Sequence, residues 1–138
     1  MCSSDLSVTF FAGLRELGVH QRGSVFPLFH VVADVCECVG GTVLAGDEDG
    51  GDTATLLVRR DSGAMWLAAN LSRERRTLRV PVNFVPASLR LLDCETAARA
   101  ATDWRRFRTA RRPAAGARTI ELAPFATARV DGDVAAGR

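Results

Sequence analysis

The most constraining feature of this sequence is a change of hydrophobic pattern at Gly40-Gly41. Before it, apolar residues recur at spacings of three and four from Phe26 to Val39, which is typical of one face of a helix. After it, short apolar runs follow one another at even spacing, separated by turn residues, which is typical of a β-sandwich or partial barrel. The sequence therefore predicts a mainly β chain, with one helix followed by an antiparallel β-sandwich.

The helix is predicted to run from Ser24 to Gly40, because Ser24 and Pro27 suit a helix start and the paired glycines suit a helix end. A β-branched and aromatic run at Ser7–Ala12 predicts a buried strand ahead of it. Residues 14–23 are polar and contain two glycines, so they are expected to form the connecting loop.

The later strands share a short length and apolar residues bounded by turn signals. They are predicted at Thr42–Gly46, Thr53–Arg60, Ala64–Leu71, Arg75–Val80, Leu89–Leu92, Arg118–Leu122 and Phe125–Val130. A short helical excursion is expected at Ala97–Arg108, with Trp104 and Phe107 as its apolar anchors. The tail from Asp131 is expected to fray.

Chain length limits the class of protein. The 138 residues fit one ordinary globular domain and are too few for a complete (β/α)8 barrel of about 250 residues, so any barrel character must belong to a fragment. Met1–Leu6 resembles the translation of a short-read sequencing adapter, and we interpret it as a processing artefact.

Charge is weak evidence about partners. All 18 basic residues are arginine, which indicates GC-rich coding, and the net charge is only +2, so no nucleic-acid partner is predicted. The sequence has neither the ~20 continuous apolar residues of a membrane span nor a signal-peptide pattern. A cytoplasmic location without membrane contact is therefore expected.

The cysteines and clustered carboxylates predict neither a metal site nor a cofactor. Cys36 and Cys38 lie two residues apart in the predicted helix, a rotation of ~200° that separates their thiols. Cys94 falls in a strand pattern and is expected to be a small buried side chain. We expect a solvated loop at the acidic residues Asp47, Glu48, Asp49 and Asp52, because their spacing is not that of calcium ligands.

Neither histidine has an evident catalytic partner in the sequence. His30 lies within the apolar helix and is expected to be a structural residue at the packing edge. His20 lies in a polar loop beside Arg15 and Glu16, where it could line an active site if the loop stands at the mouth of a barrel strand. The carboxylate pair that glycoside hydrolysis needs is not recognisable, so no catalytic residue is assigned.

Two further patterns have alternative interpretations. Asn70-Leu71-Ser72 matches the N-glycosylation pattern, which a cytoplasmic chain would leave unused. Arginines around Trp104 and Phe107 could bind an acidic partner or single-stranded nucleic acid, but an exposed basic face over inward-packed aromatics is the preferred interpretation. These arginines are Arg105, Arg106, Arg108, Arg111 and Arg112.

Five segments together resemble the C-terminal region of D-apionate lactonase-like proteins, over about Ser7 to Asp131. The segments are Phe26–Asp34, Trp66–Ser72, Leu91–Asp93, Trp104–Arg108 and Leu122–Asp131. The resemblance implies a (β/α)8 barrel of the clan-A glycoside hydrolase type with a β-sandwich behind it. It also implies hydrolysis of a sugar lactone, D-apionolactone, to its open acid.

Under this resemblance, residues 7–40 are the last strand and helix of the barrel, 41–131 are the sandwich and 132–138 are a frayed tail. The family's pattern places a glutamate and then a Thr/Gly/Trp/Arg cluster after the strand, where this chain has Ala12 to Leu17. No catalytic residue is therefore transferred, and the catalytic carboxylates would lie upstream, in the missing barrel.

Two functional hypotheses follow. The first is a C-terminal fragment of a carbohydrate-acting hydrolase, inactive alone, whose partner is the barrel of the same chain and whose parent acts on a small sugar lactone. The alternative is an independent carbohydrate-binding module with Trp66 or Trp104 as a sugar-stacking platform, although Trp66 lies in a strongly apolar run and is expected to be core. A bare apolar face on the helix and an unpaired strand at Val8 would favour the fragment, and an exposed coplanar aromatic pair would favour the module.

Overall fold

The computed structural model describes residues 20–21, 23–46 and 51–135. Within these ranges the helices are α1 (Pro27–Cys36), α2 (Ala97–Thr102) and α3 (Trp104–Thr109). The strands are β1 (His20–Gln21), β2 (Ser24–Val25), β3 (Thr42–Gly46), β4 (Thr53–Arg60), β5 (Gly63–Asn70), β6 (Arg76–Arg79), β7 (Phe84–Leu92), β8 (Arg112–Pro113), β9 (Thr119–Leu122) and β10 (Thr127–Val134).

One antiparallel sheet of six strands organises the chain. Its strand order is β3-β4-β5-β10-β7-β8, so β10 lies between β5 and β7. β4 and β5 form the predicted hairpin around Asp61-Ser62-Gly63. β6 pairs with β9 in a separate two-stranded sheet, and β1 pairs with β2.

The main core lies between the large sheet and the β6–β9 pair. Alternate residues of β5 face this core, and Trp66 in the middle of that strand is buried. Val130 from β10 and Leu122 from β9 are completely buried in the same cluster. Each large apolar side chain buried in this way stabilises the fold by about 1.5–3 kcal/mol, so this layer holds the two sheets together.

The opposite face of the large sheet carries the helices. Leu92 at the end of β7 packs with Ala100 of α2 and Phe107 of α3, and Val31 of α1 packs against them. His30 of α1 also contacts α2, because its Nε2 donates a hydrogen bond to the carbonyl oxygen of Ala100 at 2.9 Å. The result is a β-sandwich with a helical layer on one side.

The mainly β, antiparallel prediction is confirmed, and most strand bounds agree to within one or two residues. β7 is longer than predicted, because it begins at Phe84 and runs through Pro86, which lies opposite Gly132 beside a β-bulge. A bulge tolerates proline, which cannot donate to the ladder. The helical excursion is present, but it breaks at Asp103 into two short helices.

The expectation that the chain frays from Asp131 is wrong for the next few residues. β10 continues to Val134, which lies opposite Phe84 on β7. The continuation requires glycine at the bulge, because a Cβ on Gly132 would lie 2.1 Å from the carbonyl oxygen of Val85. The central strand is therefore longer than its apolar pattern indicates.

α1 is shorter than the predicted helix. Ser24 lies in β2, and the residue at the N-cap position is Phe26, without a side-chain hydrogen bond. Pro27 occupies the first turn, as predicted, and Gly40 ends the following turns with a φ of +80°. The strand predicted at Ser7–Ala12 lies outside the described residues.

Candidate functional site

α1 buries its polar residues against the rest of the protein, beside Val31 and Val35. His30 and Asp34 are 1% and 7% exposed, although they belong to a mainly apolar helix. Leu28, which helical geometry places on the opposite side, is 49% exposed, and Val39 just beyond the helix is 85% exposed. A helix on a protein surface normally has the reverse arrangement. The inner side of α1 therefore requires polar partners, and its outer side leaves apolar surface in water.

Asp34 is the centre of those polar partners. Its carboxylate accepts hydrogen bonds from Arg90 of β7, from Arg108 of α3 at 3.1 Å and from Arg129 of β10 at 3.0 Å. A buried carboxylate is stable only when such partners replace its lost hydration. One residue of α1 is therefore joined to two strands and to a second helix.

Two more carboxylates extend the network around Arg129. This guanidinium donates to Glu37 at 2.5 Å and, through Nη2, to Asp131 at 2.9 Å. Asp131 also accepts from Arg111 at 2.9 Å and from Arg60 at 3.4 Å. We call the whole set the arginine–carboxylate cluster; it consists of Asp34, Glu37, Asp131, Arg60, Arg90, Arg108, Arg111 and Arg129.

Burial and ion pairing have opposite effects on the carboxylates of this cluster. Burial acts to raise the pKa of Asp131, but the hydrogen bonds and charges of Arg129 and Arg111 outweigh it and lower that pKa. The pKa of Glu37 is lowered against burial in the same way, by Arg129 and Arg108. Both carboxylates are therefore ionised at neutral pH and pair with the arginines as full charges.

We expect the free energy of unfolding to fall as the pH is lowered through about 4. The pKa values of Asp131 and Glu37 are lower in the folded chain than in the unfolded chain, so the unfolded chain takes up protons first as the pH drops. Their stabilising contribution is complete above the unfolded pKa values and disappears toward the folded ones. Urea unfolding at a series of pH values measures this slope. A Glu37→Gln variant should show a shallower slope, and an unchanged slope would contradict this account.

The basic stretch in and after α3 is divided between two environments. Arg105, Arg106 and Arg112 are exposed, as predicted. Arg108 and Arg111 instead belong to the arginine–carboxylate cluster. The interpretation of the whole basic stretch as an exposed face did not predict these contacts. Two of the five arginines therefore hold the helical layer on the sheet rather than meeting solvent.

His30 is fully buried rather than at a packing edge. Its ring lies edge-on to Phe29 and Phe107, with ring centroids 5.3 and 4.7 Å away. Burial, helped by two neighbouring arginines, lowers the pKa of His30, so the ring is neutral at physiological pH. Its contacts are those of a structural residue. His20 forms part of β1, and its side chain lies outside what the structure describes.

The cysteines occupy three different environments. Cys36 is exposed, whereas Cys38 is half-buried beside the carbonyl oxygen of Asp34, and burial raises the pKa of its thiol. The prediction that Cys94 is a buried strand residue is wrong. β7 ends at Leu92, so Cys94 falls in the following turn and is exposed.

Residues 20–21, 23–46 and 51–135 contain neither a metal-ligand cluster nor a membrane-spanning helix. No group of three or more His, Cys, Asp or Glu residues there is arranged to hold a metal ion. No helix in the same ranges is long and apolar enough to cross a membrane. Of the acidic loop, residues 47–49 lie outside the described part, and Asp52 forms an ion pair with Arg76.

Neither tryptophan forms the aromatic platform that a sugar-binding module needs. Trp66 is 2% exposed and belongs to the main core, as predicted, so it cannot stack on a sugar. Trp104 is half-buried, lies edge-on to Phe29 with centroids 5.4 Å apart, and has the Arg105 guanidinium 4.5 Å from its ring centre. The aromatic pairs among the described residues are edge-on or tilted rather than coplanar.

The glycosylation pattern at Asn70 has a structural role. Asn70 is 1% exposed, and its amide nitrogen donates to the carbonyl oxygens of Glu74 at 2.7 Å, Ala123 at 2.9 Å and Leu122 at 3.3 Å. Its side-chain oxygen accepts from the backbone N–H of Ser72 at 3.0 Å. Because this amide is buried and its N–H groups are engaged by backbone carbonyls, the folded chain does not present it to a glycan.

One family model and several solved structures match the chain. The model, described as D-apionate lactonase, C-terminal immunoglobulin-like domain, matches residues 51–130. No curated protein sequence matches. Trehalulose synthase MutB from Pseudomonas mesoacidophila MX-45 is similar with a TM-score of 0.49 and 19% identity, over 67% of this chain and 14% of that one.

Two further MutB structures are similar at a TM-score of 0.53 and 18% identity. One is a mutant in complex with the substrate sucrose, and the other is an inactive double mutant in complex with isomaltulose. Each match covers 78% of this chain but only 17% of the MutB chain. Identity this low shows a shared fold and nothing about shared chemistry.

Proposed function

Since this chain belongs to the family of D-apionate lactonase C-terminal immunoglobulin-like domains, we propose that it supports the catalytic barrel of a sugar-lactone hydrolase. Residues 7–40 contribute the last strand and helix of that barrel, and the sandwich buttresses them. The whole enzyme opens D-apionolactone to D-apionate, with its catalytic carboxylates on earlier barrel strands. The chain by itself is inactive.

The orientation of α1 is the observation that carries this proposal. In a (β/α)8 barrel each helix covers the strands with its apolar side. α1 turns Asp34 toward the sandwich and leaves Leu28, and Val39 just beyond the helix, in solvent, so this exposed part of its apolar surface is available for barrel strands. One helix then has two supports, barrel strands on the side of Leu28 and the sandwich on the side of Asp34.

The arginine–carboxylate cluster suits a joint between two layers. Guanidinium groups bind carboxylates in a fixed planar geometry, which sets orientation as well as distance. Arg90 and Arg129 are buried in the sheet, and both donate to Asp34 of the helix. Such a joint holds α1 in one position on the sandwich. If α1 is part of the barrel, the joint also fixes the position of the barrel relative to the sandwich.

An apolar cavity beside α1 agrees with the same arrangement. It has a volume of about 170 Å³ and opens between the helix, where Val31 and Val35 line it, and the sheet, where Leu56 and Leu67 line it. Its only charged lining residue is Asp34, which the arginines already neutralise. We propose that it receives an apolar side chain from a neighbouring barrel element.

Sequencing the source DNA upstream of Ser7, followed by expression of the complete reading frame, tests the proposal. We expect a frame encoding alternating strands and helices, and a product that hydrolyses D-apionolactone. In that product Leu28→Glu should lower soluble activity at least about tenfold, because a charge at a barrel interface costs several kcal/mol. Val82→Glu, at a 99% exposed valine of the sandwich, is the matched control. A promoter and start codon directly before Met1, or hydrolysis by the 138-residue chain alone, would overturn the proposal.

A further inference from the structure

His30 is a buried titratable side chain at the contact between α1 and α2. It is 1% exposed, and its Nε2–H donates to the carbonyl oxygen of Ala100 at 2.9 Å. Ala100 is itself completely buried and lies in the last turn of α2, where carbonyl groups lack partners within the helix. One imidazole N–H therefore supplies the hydrogen bond that this buried carbonyl needs.

The second ring nitrogen of His30 has no such partner. Nδ1 is buried, and no hydrogen-bond partner among the described residues reaches it. Because Nε2 carries the proton that the Ala100 carbonyl accepts, Nδ1 has only a lone pair in the neutral ring. Phe29 and Phe107 lie edge-on to the imidazole, so aromatic rings flank it. A proton added to Nδ1 would therefore be buried without an acceptor.

The charged groups of the elements around His30 are mainly positive. They are Asp34 from its own helix, Arg90 from β7, Arg108 from α3 and the exposed Arg99 from α2. The single carboxylate is already engaged by Arg90 and Arg108. Burial lowers the pKa of His30 against the raising effect of the Ala100 hydrogen bond, and the two arginines lower it further against Asp34. Protonation therefore favours any state in which the ring is in water.

We propose that His30 makes the contact between α1 and α2 pH-sensitive, so that protonation of its ring releases α1 from α2 as the pH falls from 7.5 to 5.5. A ring in water has a pKa of about 6.5. Above that value the contact is intact, and below it each opening event takes up one proton, so the opening equilibrium constant rises by up to about tenfold per pH unit. The inference rests on contacts within the described chain and not on the barrel-supporting role.

Hydrogen exchange of the 138-residue chain, followed by mass spectrometry at pH 7.5 and 5.5, tests the proposal. After correction for the intrinsic pH dependence of exchange, the protection of α1 and α2 should be about three- to tenfold lower at pH 5.5. His30→Gln keeps an N–H donor for the Ala100 carbonyl but cannot titrate, so its protection should be the same at both pH values. His20→Gln, the same substitution at the other histidine, is the matched control and should show the fall of the parent chain.

Three outcomes would overturn the proposal. The first is equal protection of α1 and α2 at both pH values. The second is a fall that persists in His30→Gln or is lost in His20→Gln, which would assign the effect to another group. The third comes from proton NMR of the parent chain, which does not depend on the folding of any variant. The His30 ring should titrate below the value of a histidine in water, and titration at or above about 6.5 would contradict the proposal.

Discussion

Replacing Asp34 by alanine should lower the free energy of unfolding by about 3–5 kcal/mol, the cost of removing one partner from a buried charged network. Asp34 is 7% exposed, and the substitution leaves Arg90 and Arg129, both similarly buried, without the carboxylate to which they donate. Chemical denaturation with urea measures the change. The helical layer should also exchange its amide hydrogens faster, because α1 loses its main polar contact with the sheet.

The exposed pair of Arg75 and Glu121 provides the comparison for Asp34. Their side chains are 68% and 66% exposed and their charged atoms are 3.5 Å apart. Glu121→Ala should cost no more than about 1 kcal/mol, because solvent screens such pairs. If Asp34→Ala costs as little as Glu121→Ala, the cluster does not hold α1 and the proposed joint is wrong.

Replacing Asn70 by alanine is the second change with a large expected effect, about 2–4 kcal/mol of lost stability for several backbone groups left without a partner. Buried carbonyl groups that lose their donor keep the full cost of desolvation, and Asn70 donates to the carbonyls of Leu122 and Ala123 as well as Glu74. Its oxygen also accepts the backbone N–H of Ser72. One side chain therefore ties the end of β5 to the chain between β9 and β10. Urea unfolding gives the magnitude.

Asn83→Ala is the matched control for Asn70, because Asn83 is an exposed asparagine in the turn before β7. It should change stability by no more than about 0.5 kcal/mol. Expression in a glycosylating host adds a second measurement, since the intact mass should show no glycan on Asn70. A glycosylated and folded product would contradict the buried amide.

The strands could be predicted because their signals are local. Alternation and turn residues fixed β3, β4 and β5 closely, and the apolar run around Trp66 indicated core. Cys94 shows the limit, since it lies only two residues beyond the strand end at Leu92, where a side chain already belongs to a solvent-exposed turn rather than to the core.

The arginine–carboxylate cluster could not be predicted in the same way. Asp34 meets Arg90, Arg108 and Arg129 across separations of 56, 74 and 95 residues, and no local pattern encodes such contacts. The periodicity of α1 was visible, but periodicity does not say which side of a helix meets the protein. A charged pair at Asp34 and Glu37 within an otherwise apolar helix was the available signal, because buried charges require partners.

The central position of β10 affects the order in which this chain can fold. β5 and β7 are not paired with each other, because β10 lies between them and pairs with both. Synthesis from the N-terminus leaves both strands with open edges until residues 127–134 emerge from the ribosome. Arg129 and Asp131 are synthesised with the same segment, so Asp34 and Glu37 can pair with Arg90 and Arg108 earlier but gain Arg129 only then. Nascent chains stalled before Thr127 should therefore remain protease-sensitive and bind chaperones, and assembly should be slow because its essential contacts are distant in sequence.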